Sequence, residues 1–196
     1  MKKIMIAAIL VLAFALTASA QVPVKPFSIY IGGGLTLPNS PDGFKDMYKT
    51  GFHGLAALAI NLPTVQGLSV LGKLQYHMLS LKDDVTFAGE AITDGGSAKI
   101  FMFGADGVYR LGTPGGVASP FFGAGGGFAN STTSDITTAS GTYAFDSSTD
   151  FYWNILAGLD LKAGPSVSLF ATFAYVSIST EGDAITMIPI TVGLKF

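Results

Sequence analysis

The stretch Phe101-Met102-Phe103-Gly104-Ala105-Asp106-Gly107-Val108-Tyr109-Arg110-Leu111 carries two faces that differ in kind. Taken in steps of two, Phe101, Phe103, Ala105, Gly107, Tyr109 and Leu111 make a face without a charge. Asp106 and Arg110 both fall on the other face. Alternation at a period of two is the signature of a strand, since a helix brings residues three and four apart onto one side. The uncharged face is aromatic and aliphatic while the opposite face holds the ions, so this strand separates an apolar surrounding from a polar one.

The same phase recurs along the chain. Segments at 29–37, 54–62, 68–78, 101–111, 122–128, 153–161, 167–175 and 188–196 each show one face free of charge, amide and hydroxyl, tyrosine excepted. The charges inside these segments are Lys73, Asp106, Arg110, Asp160, Lys162 and Lys195, and all six lie in the opposite phase. Asn61, Gln75, Asn154, Ser28, Thr36, Thr172 and Thr191 share it. Eight segments of about ten residues have the length of tilted membrane strands. Only 12% of residues are charged, and no run after residue 20 is long and apolar enough for a spanning helix. Helices and closed barrels are the two structures that satisfy every backbone group in hydrocarbon. The expected fold is therefore all-β: an eight-stranded antiparallel up-and-down transmembrane β-barrel with an apolar outside and a polar lumen.

The connections agree with that threading. Short turns are expected at 63–67, 112–118 and 163–166, marked by Thr113-Pro114-Gly115-Gly116 and Ala163-Gly164-Pro165. Longer polar loops are expected at 38–51, 79–99, 129–150 and 178–186. Such barrels put short turns in the periplasm and long loops outside. Aromatics near the strand ends (Tyr76, Phe101, Phe128, Trp153 and Tyr175 at one level, Tyr109, Phe122 and Phe196 at the other) suit interfacial girdles. Lys2 and Lys3, the apolar run from Ile4 to Leu16 and Ala18-Ser19-Ala20 read as a secretory leader, 1–20, leaving 21–196 as a single barrel domain in the bacterial outer membrane.

Other features narrow the function. There is no cysteine, which removes disulfides and thiolate metal sites. Without Lys2 and Lys3 the acids outnumber the bases by four, and no basic patch is available to nucleic acid. No cofactor and no dedicated metal site are expected. Eleven of the thirteen acids fall in the external loops, opposed by Lys45, Lys49, Lys82 and Lys99. They are expected to form a solvated surface, with divalent cations shared with lipopolysaccharide phosphates as an alternative role.

Gly32-Gly33-Gly34 and Gly123-Ala124-Gly125-Gly126-Gly127 have the look of phosphate loops, but no helix pattern follows them, so they are expected to relieve crowding in curved strands. Ser40-Pro41-Asp42 reads as the start of a short helix over 41–50, closed by Gly51, that packs Phe44 and Tyr48 over the barrel mouth. In an eight-stranded lumen filled by side chains, Lys73 is expected near Asp106, or Arg110 near Asp160, as a plug of paired charges. Leu55, Phe121, Leu156 and Phe170 share the inward phase and admit a second reading, a conduit or site for small apolar molecules. A soluble periplasmic binding barrel would need the charge-free faces turned inward.

The last strand, Ile188-Pro189-Ile190-Thr191-Val192-Gly193-Leu194-Lys195-Phe196, resembles the terminal strand of small outer-membrane barrels of the class of outer membrane protein X and the membrane domain of outer membrane protein A. Gly32 to Pro38 and Thr50-Gly51-Phe52 are similar to the start of such domains. The resemblance implies that Phe196, Leu194, Val192 and Ile190 are read by the barrel assembly machinery, that outer-membrane lipids and lipopolysaccharide surround the chain, and that it is a monomer. No peptidoglycan-binding domain follows Phe196, so wall anchoring is not implied. The class also contains enzymes that act on lipid A, which makes His77 with Ser80, Asp83 and Asp84 a catalytic alternative. The leading expectation is non-enzymatic: a structural or surface-interacting barrel.

Overall fold

A computed structural model describes residues 26–111 and 116–196. The expected leader and Thr113-Pro114-Gly115 of one turn lie outside the described residues. No helix among the described residues is long and apolar enough to cross a membrane. The strands that build the wall are β1 (Phe27–Ser40), β2 (Gly51–Asn61), β3 (Leu68–Leu79), β7 (Ala98–Arg110), β8 (Ala118–Thr133), β11 (Ser148–Lys162), β12 (Ser168–Ser179) and β13 (Ile185–Lys195). They close in the order β1-β13-β12-β11-β8-β7-β3-β2, every neighbour antiparallel. Closure is sealed at the turn end by reciprocal backbone bonds of Ile29 and Phe196, 3.2 and 2.9 Å. A closed ladder leaves no edge group unpaired in hydrocarbon.

The phase read from the sequence is the phase of the wall. Ile29, Ile31, Leu58, Leu74, Phe103, Phe122, Ile155, Phe173 and Val192 are exposed on the outside, whereas Lys73, Asp106, Asn154, Asp160 and Thr191 are buried within. The aromatics gather as girdles, with Phe103 and Phe128 5.8 Å apart and Trp153 and Tyr175 5.7 Å apart at the loop end, and Tyr109 and Phe122 5.8 Å apart at the turn end.

Glycine makes the lumen possible at two kinds of position. A Cβ on Gly125 would strike the Asp106 carboxylate, so a bare backbone there admits the buried ion. A Cβ on Gly32 would sit 2.8 Å from the Phe170 ring and one on Gly193 2.6 Å from it, so the ring lies flat against the β1–β13 seam. The expected use of these glycines, relief of crowding in strands, is what the register requires.

The loop end differs from expectation in three ways. The first helix, α1 (Asp42–Met47), is shorter than 41–50, and Pro41 stands at its N-cap without a side-chain bond. Ser40 extends β1 and pairs with Thr186, because a ladder position outcompetes a cap for that backbone. Gly51 opens β2 rather than closing the helix. Secondly, β8 and β11 run past 129 and 150 to Thr133 and Ser148. Thirdly, the fourth connection spans only 180–184. It is no longer than the turns, since buried Ile178 and Met187 draw β12 and β13 together above the level of the girdle.

The remaining strands are short and lie among the loops. They are β4 (Thr86–Phe87), β5 (Glu90–Ala91), β6 (Asp94–Gly95), β9 (Ile136–Thr138) and β10 (Gly141–Tyr143). β4 pairs with β5, and β6, β9 and β10 form a three-stranded sheet.

Candidate functional site

From the loop end inward, the lumen is filled in layers. Phe44 and Tyr48 pack on Leu79, Ile100, Met102, Tyr152, Val176, Ile178 and Met187, as a helix capping the mouth must do with its apolar side chains. Backbone bonds hold this cap to the second loop: Lys49 donates to Ser80 at 2.8 Å and Lys82 to Met47 at 2.8 Å. Burial raises the Tyr48 phenol above its ordinary range, with a smaller opposing effect from a hydrogen bond to Thr133.

Below the cap lies a histidine–threonine cluster. Thr36 Oγ1 is bonded to Nδ1 of His53 at 3.0 Å and to Nδ1 of His77 at 2.7 Å, and His53 Nε2 reaches Thr191 Oγ1 at 2.8 Å. The ring centroids are 4.9 Å apart. His77 is completely buried, and its bonds run to Thr36. Asp83, a proposed partner in catalysis, is instead ion-paired with Lys49 at 2.6 Å. Of the His77, Ser80, Asp83 and Asp84 constellation, the His77 imidazole and the Asp83 carboxylate thus each have another partner.

Next comes the first ion layer. Lys73 Nζ meets Asp106 Oδ2 at 2.8 Å and donates to Asn154 Oδ1 at 2.9 Å, 5.5 Å above the Tyr152 ring. Towards the turn end, Asp160 Oδ2 receives Arg110 Nε at 3.2 Å and Lys195 Nζ at 2.6 Å. The Arg110 fork also donates to Ser69 Oγ at 2.7 Å and to the Tyr30 hydroxyl. Five of the six charges from the alternating pattern meet in these two layers. Lys162 does not join them: as the last residue of β11 it is exposed at the rim, where its flexible stem carries the ammonium into water.

Between the ion layers, Leu55, Phe121, Leu156 and Phe170 line a cavity of about 40 Å³ together with Leu71 and Val108. A water needs roughly 10–15 Å³ of such space and a drug-sized ligand several hundred. This chamber therefore accommodates a few waters.

His53 and His77 both fall in the inward phase of their strands, but their meeting with Thr36 and Thr191, and the parts of Tyr30, Ser69 and Tyr152, were not foreseen. One signal was available: pairing across the 63–67 turn is symmetric about Val65, which sets His53 opposite His77.

Outside the wall, the second and third loops are knitted together. Thr93 donates its backbone N–H to Thr137 O at 2.8 Å, and Glu90 accepts the Ser140 backbone N–H at 3.1 Å and the Ser140 hydroxyl. The Ser140 hydroxyl, then the Thr138 hydroxyl and the Ser140 backbone N–H, hold the Glu90 carboxyl below the usual carboxylate range. Phe87 stacks near Tyr143 and Phe145, with centroids 4.9 and 6.0 Å away, and both partners remain partly exposed. Among the described residues, no group of three or more His, Cys, Asp or Glu is placed to hold a metal ion.

A closed, charge-free outer surface with girdles, an ion-filled lumen and loops gathered at one end define the class: an integral β-barrel of the bacterial outer membrane. The chain belongs to the family described as Outer membrane protein beta-barrel domain, which it matches over residues 6–196. No curated protein matches it in sequence. Among solved structures it is similar to Neisserial surface protein A, at 15% identity and a TM-score of 0.61, covering 87% of this chain and 96% of the other. It is also similar to OprG of Pseudomonas aeruginosa, at 14% identity and a TM-score of 0.58, with 87% and 95% covered. Ail, the attachment invasion locus protein of Yersinia pestis, is 17% identical with a TM-score of 0.53, with 88% and 100% covered. At these identities the likeness is one of fold.

Proposed function

We propose that the protein is a non-enzymatic, sealed barrel whose activity is surface recognition by its extracellular β-structure. The observation that carries this reading is a contrast in how the two ends use their residues. The lumen is closed by an apolar cap and two ion layers, leaving about 40 Å³ between those layers. The loops invest in ordered structure: a three-stranded sheet, inter-loop bonds and partly exposed aromatics. The free side of β10 offers backbone groups to which an extended segment of a partner can add. Periplasmic arrival after cleavage near Ala20, insertion through recognition of Ile190, Val192, Leu194 and Phe196, contact with lipopolysaccharide and a monomeric state complete the proposal.

The test replaces 134–147 by a short turn, leaving β8 and β11 intact, and compares whole cells for adherence to host cells and abiotic surfaces. Loss of adherence with unchanged heat-shifted gel mobility supports the reading, and full adherence removes it. A conduit for small apolar molecules is weighed by the same barrel in liposomes: the filled lumen predicts no uptake above empty vesicles.

A further inference from the structure

The outer wall near the periplasmic end carries one feature that neither the sealed lumen nor the loops use. Across β11, β12 and β13, Leu161, Leu169 and Leu194 stand in one register row, and Leu159, Ala171 and Val192 in the next outward row. Ala171 is the small member between larger neighbours, and it lines a surface groove of about 380 Å³ on the lipid side. The walls are apolar, leucines and Val192 with Phe170 and Gly193 between them, and Leu169 and Val192 are exposed. The row on the periplasmic side of the leucines is Lys162, Ser168 and Lys195. Lys195 is drawn inward to Asp160, whereas Lys162 is exposed and forms no ion pair among the described residues.

The spacing gives these features a common meaning. Three residues separate the Ala171 row from the Lys162 row, about 10 Å along a strand. That is comparable with the roughly 5–8 Å that headgroups add to each side of the hydrocarbon core. A cation at the rim and an apolar recess one headgroup depth further in match an amphiphile with an anionic phosphate followed by acyl chains. We propose that this face is a phospholipid site of the periplasmic leaflet: an acyl chain fills the groove over Ala171, and the lipid phosphate is held by Lys162. Lys162 ends β11 in the inward phase and is exposed, and from the strand's last position its flexible stem can turn the ammonium outward to the headgroup layer. The charge is complementary to a phosphodiester and the recess to methylenes. A second copy of the chain would bring another Lys162 to the same rim if it docked symmetrically.

The experiment uses the full chain, folded and delipidated in detergent, titrated with phosphatidylglycerol and read by native mass spectrometry. One retained phospholipid per barrel is expected. Ala171→Leu narrows the recess and lowers retention about tenfold, the equivalent of two lost methylene contacts. Lys162→Gln lowers it about threefold, as suits one exposed charge pair. Ala56→Leu, a matched change on the far wall in β2, leaves it unchanged. Equal loss in Ala56→Leu and Ala171→Leu overturns the site in favour of general coating by lipid. So does a dimer in place of the lipid adduct, or displacement of the lipid by glycerol phosphate, which lacks chains. Heat-shifted gel mobility establishes that each variant is folded; should Ala171→Leu fail to fold, undiminished retention in Lys162→Gln, at an exposed rim, overturns the proposal by itself.

Discussion

The two ion layers of the lumen contain the same kinds of group in opposite circumstances. Lys73 and Asp106 form a one-to-one pair with side-chain exposures of 6% and 0%. At the periplasmic mouth, Arg110 and Lys195 share one oxygen of Asp160 and retain exposures of 15% and 20%. The inner pair is almost wholly withdrawn from solvent, and Lys73 keeps Asn154 and the Tyr152 ring as its other neighbours. The outer cluster has a spare cation and a path to solvent. Position along one lumen thus decides whether an ion pair is indispensable or replaceable, because desolvation, and not the attraction itself, sets the cost of breaking it.

The largest expected effect follows from removing one half of the inner pair. Asp106→Ala leaves the Lys73 ammonium buried against Asn154 and the Tyr152 ring, and costs about 3–5 kcal/mol. Urea unfolding in lipid vesicles measures it. A loss below about 1 kcal/mol, the range of an exposed pair, would show that water reaches this layer and would erase the contrast.

Removing both halves sharpens the comparison. Lys73→Met with Asp106→Leu replaces charges by apolar groups in an enclosure already bounded by Val108, Leu71 and Leu55. The double variant is expected to recover most of the loss, ending within about 1 kcal/mol of the parent, since paired burial repays little over a well-packed apolar substitute. A double-mutant cycle gives the coupling directly. Failure to recover would locate the cost in packing against Gly125, where space was left for a carboxylate and no more.

At the mouth, Lys195→Gln leaves Asp160 with Arg110 and is expected to cost about 1 kcal/mol, with a dependence on salt that the inner variant lacks. An effect equal to that of Asp106→Ala would mean that the mouth is as dry as the middle.

These contrasts also show what the chain discloses by itself. The wall was legible because alternation is local: Asp106 and Arg110 lie four residues apart, and only a strand places both opposite Phe103 and Tyr109. The facing of His53 and His77 was not anticipated, although the symmetry of the short turn about Val65 carries it. Thr36 joining them was not legible, because β1 reaches β2 through α1, and the register across that loop is set by Ser40 staying in the sheet. The Arg110–Asp160–Tyr30 contacts were hidden for another reason. They cross the lumen between β7, β11 and β1, which are not neighbours in the wall, so nothing in a strand's own period announces them. Loop order was least visible, since β6 and β9 come from different loops and meet through single bonds such as Thr93 to Thr137.

The last and smallest effect lies outside the membrane and completes the series from dry to fully wet. The Glu90 carboxyl accepts from Ser140 twice, and these bonds hold its proton affinity below that of a free glutamate. A folded-state pKa below the unfolded value means that the contribution to loop order is fully present above the ordinary glutamate range, near 4.3. It is lost as pH falls through the depressed value. Between pH 7 and pH 5 the junction of the second and third loops should therefore hold, and below the ordinary glutamate range the protection of the Ser140 amide, its intrinsic exchange rate divided out, should fall. Glu90→Gln should show low protection at Ser140 at neutral pH and no further loss of protection on acidification, while the barrel strands stay protected in both. If the protection factor of the Ser140 amide in the parent is flat from pH 7 to pH 3, the carboxylate does not hold the loops. Their order would then come from the sheet of β6, β9 and β10 and from the packing of Phe87 on Tyr143.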